Sequence, residues 1–167
     1  MPLRIGKAIF DDGPKGFVPT TRKELMSQLR KIGQSLDVKG IYFVRATKAF
    51  YGGHYNPATQ KIVVVEQSGA RKIPRAMLMF RFFHELAHHI QTHSNLFPAY
   101  YFKRVQLEDG SWKEFSVAER RRVALRAERH ADSSAIQIAE FLYKIKYAQG
   151  KKYSKEFLEK HHKEIYA

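Results

Sequence analysis

The chain contains no cysteine. Disulfides and thiolate metal sites are therefore excluded, and any metal must be held by His, Asp or Glu. The same absence suits a reducing compartment. No apolar run approaches the roughly twenty residues of a membrane span, and the longest candidate, residues 76–83, is broken by Arg81. No signal-peptide core follows residues 1–7, so the expectation is a soluble, cytoplasmic protein with no membrane partner. Acidic side chains are scarce: 16 Asp and Glu stand against 30 Lys and Arg, a net charge of +14. Such an excess draws polyanions through a long-range field. DNA, RNA or a protein bound to nucleic acid are the natural partners; the plainer alternative is a well-solvated basic surface with none. At 167 residues, 44% of them hydrophobic, the chain reads as one domain with a substantial core.

One stretch carries chemistry. Phe83-His84-Glu85-Leu86-Ala87-His88 contains H-E-x-x-H. On a helix, residues four apart lie one turn apart on the same face, so His84 and His88 can address one ion. Glu85 can then reach a water beside that ion without binding the ion itself, which is the arrangement for hydrolysis of an amide bond on zinc. At this composition the motif arises by chance in roughly two or three of a hundred chains, so it needs a suitable helix around it. Met79, Phe83, Leu86 and Ile90 supply an apolar back face at helical spacing, and Pro74 supplies a start signal. The alternative is a solvent-facing histidine pair on an ordinary amphipathic helix.

The rest of the chain reads as α+β. Residues 1–19 form an irregular lead-in. A packing helix starts at Thr21, with Glu24 three residues on, and carries Leu25, Leu29, Ile32 and Leu36. Strands are expected at 40–47, 50–55 and 61–66, with a turn around Pro57. They form a small antiparallel sheet, and the unbroken Ile62-Val63-Val64-Val65 run implies burial on both faces. The H-E-x-x-H helix spans about 74–92. Residues 100–108 and 112–115 flank Asp109-Gly110 as a hairpin insertion, expected to project over the cleft. A long helix begins after Ser116, with Glu119 as capping partner, and runs to about residue 147. A basic helix closes the chain at 151–167.

Two histidines hold zinc weakly, and a catalytic site usually has a third protein ligand. Glu128 is the best candidate. It lies on the long helix, four residues before Asp132 and beside Ala131 and Ala135, whose small side chains allow close helix approach. A carboxylate facing another helix there is costly unless paired or metal-bound. Asp132 is placed to accept the spare ring N–H of a ligand histidine. The competing reading is a surface salt-bridge face with Arg126 or Arg129. His93 is a rival ligand, but it stands one residue short of the metzincin position and lacks the glycine bend. His130 points to roughly the opposite helix face from Glu128, and His89 is turned about 100° from His88.

With the strands, Phe-His-Glu-Leu-Ala-His and the later Glu-x-x-Ala-Asp-x-x-Ala helix in view, residues 40–139 resemble the ImmA/IrrE-type metallopeptidases. The resemblance implies a zincin-like domain over 1–167. It implies a gluzincin-like site with His84, His88 and Glu128 on zinc, and a peptide or protein substrate that is DNA-associated. The family often has Asn where Asp132 stands, and a shorter link than the one lengthened here by residues 100–115. His54, Tyr55, Tyr100 and Tyr101 are candidate oxyanion donors among which sequence does not choose. Two other readings stay open. One is a basic nucleic-acid-binding or regulatory protein on a peptidase fold with structural or vestigial zinc. The other is a repair-type protease whose all-histidine site would use His93.

Overall fold

The computed structural model describes residues 3–5, 8–10, 21–46 and 52–143; the expected helix at 151–167 lies outside them. Among the described residues the fold is α+β, with four helices around a small mixed sheet. None of these helices is long and apolar enough to cross a membrane.

The first described residues depart from the expected irregular lead-in. β1 (Leu3–Ile5) pairs antiparallel with β2 (Ala8–Phe10). The alternation of Leu3 and Ile5, then of Ala8 and Phe10, suits a two-stranded ribbon.

Helix α1 (Arg22–Ser35) begins where Thr21 caps it, its hydroxyl accepting from the Glu24 backbone N–H at 3.1 Å. Leu25 and Leu29 are fully buried. Gly33 lets the helix sit against its neighbours: a Cβ there would come within 2.4 Å of Ile41 Cδ1 and 3.3 Å of Phe82 Cζ.

The sheet differs from the expected antiparallel one. Strand β5 (Lys61–Ser68) is central. It pairs antiparallel with β4 (Gly53–Asn56) and with the short β6 (Arg71–Lys72), but parallel with β3 (Gly40–Ala46). Strand β4 makes the return pass between β3 and β5, so β3 arrives on the far edge of β5 running the same way. The β4–β5 hairpin closes through Asn56, whose Oδ1 accepts from Ala58 N at 2.9 Å. Ile62, Val64 and Val65 are buried, as a central strand requires.

Helix α2 (Arg75–His93) lies against the sheet through Leu78, Met79, Phe82, Phe83 and Leu86, all nearly or fully buried. Each such side chain contributes about 1.5–3 kcal/mol by leaving water, so the helix bearing the motif is anchored along its length. After it, Phe97 takes a left-handed φ of 55°, and Pro98 starts the single turn α3 (Pro98–Tyr101). The sequence reading has Tyr100 open a strand. Here Tyr100 and Tyr101 are helical, and the hairpin is only β7 (Arg104–Gln106) with β8 (Trp112–Glu114). Its turn is fixed by Asp109, whose Oδ1 accepts from Ser111 N at 2.9 Å, and by Gly110 at φ 84°.

Helix α4 (Val117–Tyr143) is capped by Ser116, which accepts from Glu119 N at 3.1 Å. Ala124, Ala127, Ala131, Ala135 and Ala139 recur at helical spacing and are buried. This small-residue face brings α4 close enough to α2 for short side chains on the two helices to meet.

Candidate metal centre

His84 and His88 lie on the face of α2 that meets α4. Helical periodicity puts them one turn apart, and Glu128 comes from α4 opposite them. Possible ligand atoms of the three residues all lie within 4.8 Å of one another. His84 Nε2 is 3.1 Å from His88 Nε2 and 3.0 Å from Glu128 Oε2, and His88 Nε2 is 3.4 Å from Glu128 Oε1. Ligands at zinc-type distances of about 2.0–2.1 Å in a tetrahedron stand about 3.3–3.4 Å apart. The cluster can therefore hold a metal ion with little rearrangement.

The far ring nitrogens are held from behind. His84 Nδ1 lies 2.8 Å from Asp132 Oδ1, one turn after Glu128. His88 Nδ1 lies 3.0 Å from Gln91 Oε1. The Gln91 amide is itself oriented, because its Nε2 donates to Ala127 O at 2.9 Å and to His130 Nδ1 at 2.9 Å. The oxygen that remains is the acceptor for His88. Both Nδ1 atoms thus carry the proton, and both Nε2 atoms face the cluster.

All five central groups are buried: His84 4%, Glu85 6%, His88 4%, Glu128 1% and Asp132 3% exposed. Burial alone would lower the His84 imidazole, but Asp132 and Glu128 on either side hold it well above its ordinary value. Burial likewise works against the Glu128 carboxylate, yet His88 and His84 keep it well below the usual range. Glu85 goes the other way: burial pushes it up, and the nearby histidines only partly offset this. Asp132 Oδ2 is buried with no hydrogen-bond partner among the described residues. A metal would displace the proton that His84 holds between the two carboxylates.

Glu85 stands outside the ligand set. It lines a cleft of about 190 Å³ together with His54, Tyr55, His84, His88, Tyr100, Tyr101 and Glu128. The edge strand β4 forms its other wall at Gly53, where a Cβ would meet Glu85 Cγ at 3.1 Å and Glu85 Oε1 at 3.2 Å. Of the expected insertion at 100–115, Tyr100 and Tyr101 line this cleft, whereas no residue of the β7–β8 hairpin does.

The four oxyanion candidates separate here. The Tyr55 hydroxyl is 3.1 Å from His89 Nδ1; His89 Nε2 donates to Leu36 O at 2.7 Å, so Tyr55 is the donor to His89. The Tyr101 hydroxyl donates to Gln91 Oε1 at 2.5 Å, behind His88. The Tyr100 hydroxyl donates to Glu128 Oε1 at 2.5 Å, on the cluster itself. His54 is exposed on the cleft rim. Among the other histidines, His93 is exposed at the end of α2 with its ring 4.3 Å from His89, and His130 is exposed behind Gln91; neither belongs to the cluster. His161 and His162 lie outside the described residues. Sequence reasoning missed Gln91 and Gly53. The i+3 spacing from His88 was the available signal for Gln91, and the Gly52-Gly53 pair beside a strand for Gly53.

No protein-family model, curated protein or solved structure matches this chain. What the cluster can do follows from its own geometry.

Proposed function

We propose that this protein is a zinc-dependent endopeptidase with a zincin-like fold, as the resemblance to ImmA/IrrE-type enzymes implies. The observation that carries the reading is Glu85: a buried carboxylate beside a two-histidine, one-glutamate cluster, opening on a cleft and outside the ligand set. A structural metal site needs no such group.

His84, His88 and Glu128 are the ligands, and this borderline nitrogen and oxygen set at tetrahedral spacing suits zinc. Zn2+ held there supplies Lewis acidity and makes water a competent nucleophile near neutral pH. Glu85 accepts the proton of the attacking water and delivers it to the leaving amine. Its raised pKa brings it closer to the working pH, where a general base is most effective. Asp132 and Gln91 hold the two imidazoles with Nε2 inward. Tyr100 is the hydroxyl nearest the cluster and serves as oxyanion donor. The substrate is a peptide segment entering along β4, in a cytoplasmic protein associated with DNA.

The competing reading is a basic nucleic-acid-binding or regulatory protein that keeps this fold and metal for structure. Two variants separate them. Glu85→Gln should bind zinc with wild-type stoichiometry and lose hydrolysis by about 10²–10⁴. Tyr100→Phe should lose about 10²–10³ in kcat. Equal turnover of any peptide by wild type and Glu85→Gln would sink the peptidase reading.

A further inference from the structure

We propose that the outward face of α4 is a docking ridge for the phosphate backbone of a nucleic acid, carried by Arg122, Arg126 and Arg129. The proposal stands apart from the peptidase reading and uses none of its residues.

The helix has two chemically opposite sides. Its inward side carries the buried alanines together with Glu128 and Asp132. Its outward side repeats at spacings of four and three, as Arg122, Arg126 and Arg129, all exposed. Helix α4 holds five arginines and no lysine. Arginine's planar fork matches phosphate oxygens better than the point charge of lysine. Among the described residues none of these three arginines makes an ion pair; Glu119, the first-turn carboxylate, faces Lys113 at 3.9 Å instead. Glu128 and Asp132, interleaved with the ridge on the same helix, are buried between α2 and α4 rather than beside the arginines.

Geometry favours a regular polyanion. Seven residues at about 1.5 Å rise separate Arg122 from Arg129, so the ridge spans about 10 Å. That is about three steps of 3.4 Å along one strand of a duplex. The Arg126 guanidinium lies over the Phe97 ring, 5.9 Å from its centroid, and Phe97 also lies 5.5 Å from the His130 ring. The ridge is therefore a row of forked cations on one face of a single helix, in a chain whose net charge is +14.

The test is fluorescence anisotropy of the full chain with a short labelled duplex, titrated between about 50 and 200 mM salt. Wild type is compared with R122Q/R126Q/R129Q and with the charge-matched control K23Q/K31Q/K39Q, which removes three exposed lysines elsewhere. Each phosphate contact adds about 0.9 to the slope of log affinity against log salt. The ridge variant should lose about 2.7 from that slope and on the order of 10²–10³ in affinity near 0.1 M salt. The lysine control should keep most of the slope. Should the triple variant not fold, R126Q alone should lose about 0.9. The proposal is overturned if wild type binds no duplex at low salt, or if the ridge variant keeps the wild-type slope. Equal losses in the lysine control would overturn it too. Poly-glutamate competing as well as the duplex would assign the ridge to an acidic protein instead.

Discussion

Replacing Gln91 with Leu isolates the support behind one metal ligand. Gln91 is fully buried, and its amide meets four groups: His88 Nδ1 at 3.0 Å, the Tyr101 hydroxyl at 2.5 Å, Ala127 O at 2.9 Å and His130 Nδ1 at 2.9 Å. Leucine fills similar space and offers none of these partners. The Tyr101 hydroxyl has a fallback, since it already lies 3.0 Å from His88 Nδ1 and 3.3 Å from His88 O. His130 can turn to solvent. The net loss is then about one buried polar group, or about 1–3 kcal/mol of stability. The effect on metal is separate. With the Gln91 acceptor gone, His88 Nδ1 faces only the Tyr101 hydroxyl, which can donate as well as accept, so His88 is no longer held in one tautomer and affinity should fall about 10–100-fold. Chelator competition for zinc gives the affinity, and 15N imidazole shifts report the tautomer. Gln91→Glu keeps an acceptor towards His88, so its zinc affinity should exceed that of Gln91→Leu even if it is less stable. Wild-type zinc affinity in Gln91→Leu, alongside lower stability, would reduce Gln91 to packing.

Two further outcomes bear on the same site. Gly53→Ala puts a Cβ 2.9 Å from Val63 O, which a shift of β4 must relieve, and 3.1 Å from Glu85 Cγ; β4 and Glu85 are both displaced at the cleft, so peptide hydrolysis should fall about 10²-fold with zinc stoichiometry intact, and unchanged turnover would disprove the positioning role. Glu128→Ala should abolish metal occupancy after dialysis, and Asp132→Ala should weaken it about 10–100-fold, while His93→Ala and His130→Ala leave stoichiometry at the wild-type value; the reverse pattern for Glu128 and His93 would install the all-histidine site instead.

Helical periodicity made the centre legible before the fold was. The four-residue spacing of His84 and His88 fixes their common face, and the same spacing of Glu128 and Asp132 beside alanines marks the face of α4 that meets them. Strand direction was not legible in the same way. Alternation and apolar runs say how buried a strand is, and the Ile62–Val65 run did mark β5 as largely buried, with Val63 half-buried, but they carry no sign for parallel or antiparallel pairing. Residues 98–101 misled for a different reason. Tyr100-Tyr101 has high strand propensity, but Pro98 at a helix start and the left-handed Phe97 before it impose a helical turn. That turn is what delivers the Tyr100 hydroxyl to Glu128 and the Tyr101 hydroxyl to Gln91. Gln91 was passed over because a glutamine on a helix usually faces water; only the packing of α4 across it shows otherwise.

Burial rules out the solvent-facing histidine pair that the motif alone also allows. Two exposed imidazoles one turn apart need no partner. Here they are nearly sealed, together with Glu85, Glu128 and Asp132. Charged groups withdrawn from water are several kcal/mol too expensive each unless their neighbours compensate them. The hydrogen bonds compensate in part: Asp132 and Glu128 share a protonated His84, and Tyr100 donates to Glu128. The compensation is incomplete: Asp132 Oδ2 has no hydrogen-bond donor among the described residues. A divalent cation at the cluster would supply positive charge where both Nε2 atoms and the Glu128 oxygens converge. A pair of replacements that removes the two carboxylate charges but keeps their hydrogen-bonding atoms, Glu128→Gln with Asp132→Asn, should therefore weaken metal binding sharply and yet unfold no sooner than the metal-free wild type, because the amides still pair with both His84 nitrogens while the buried charge is gone. Chelator-treated samples compared by thermal melting give the answer. A double variant that melts well below the metal-free wild type would mean that the apo ion pairs stabilise the fold outright, and the electrostatic case for the metal would fail.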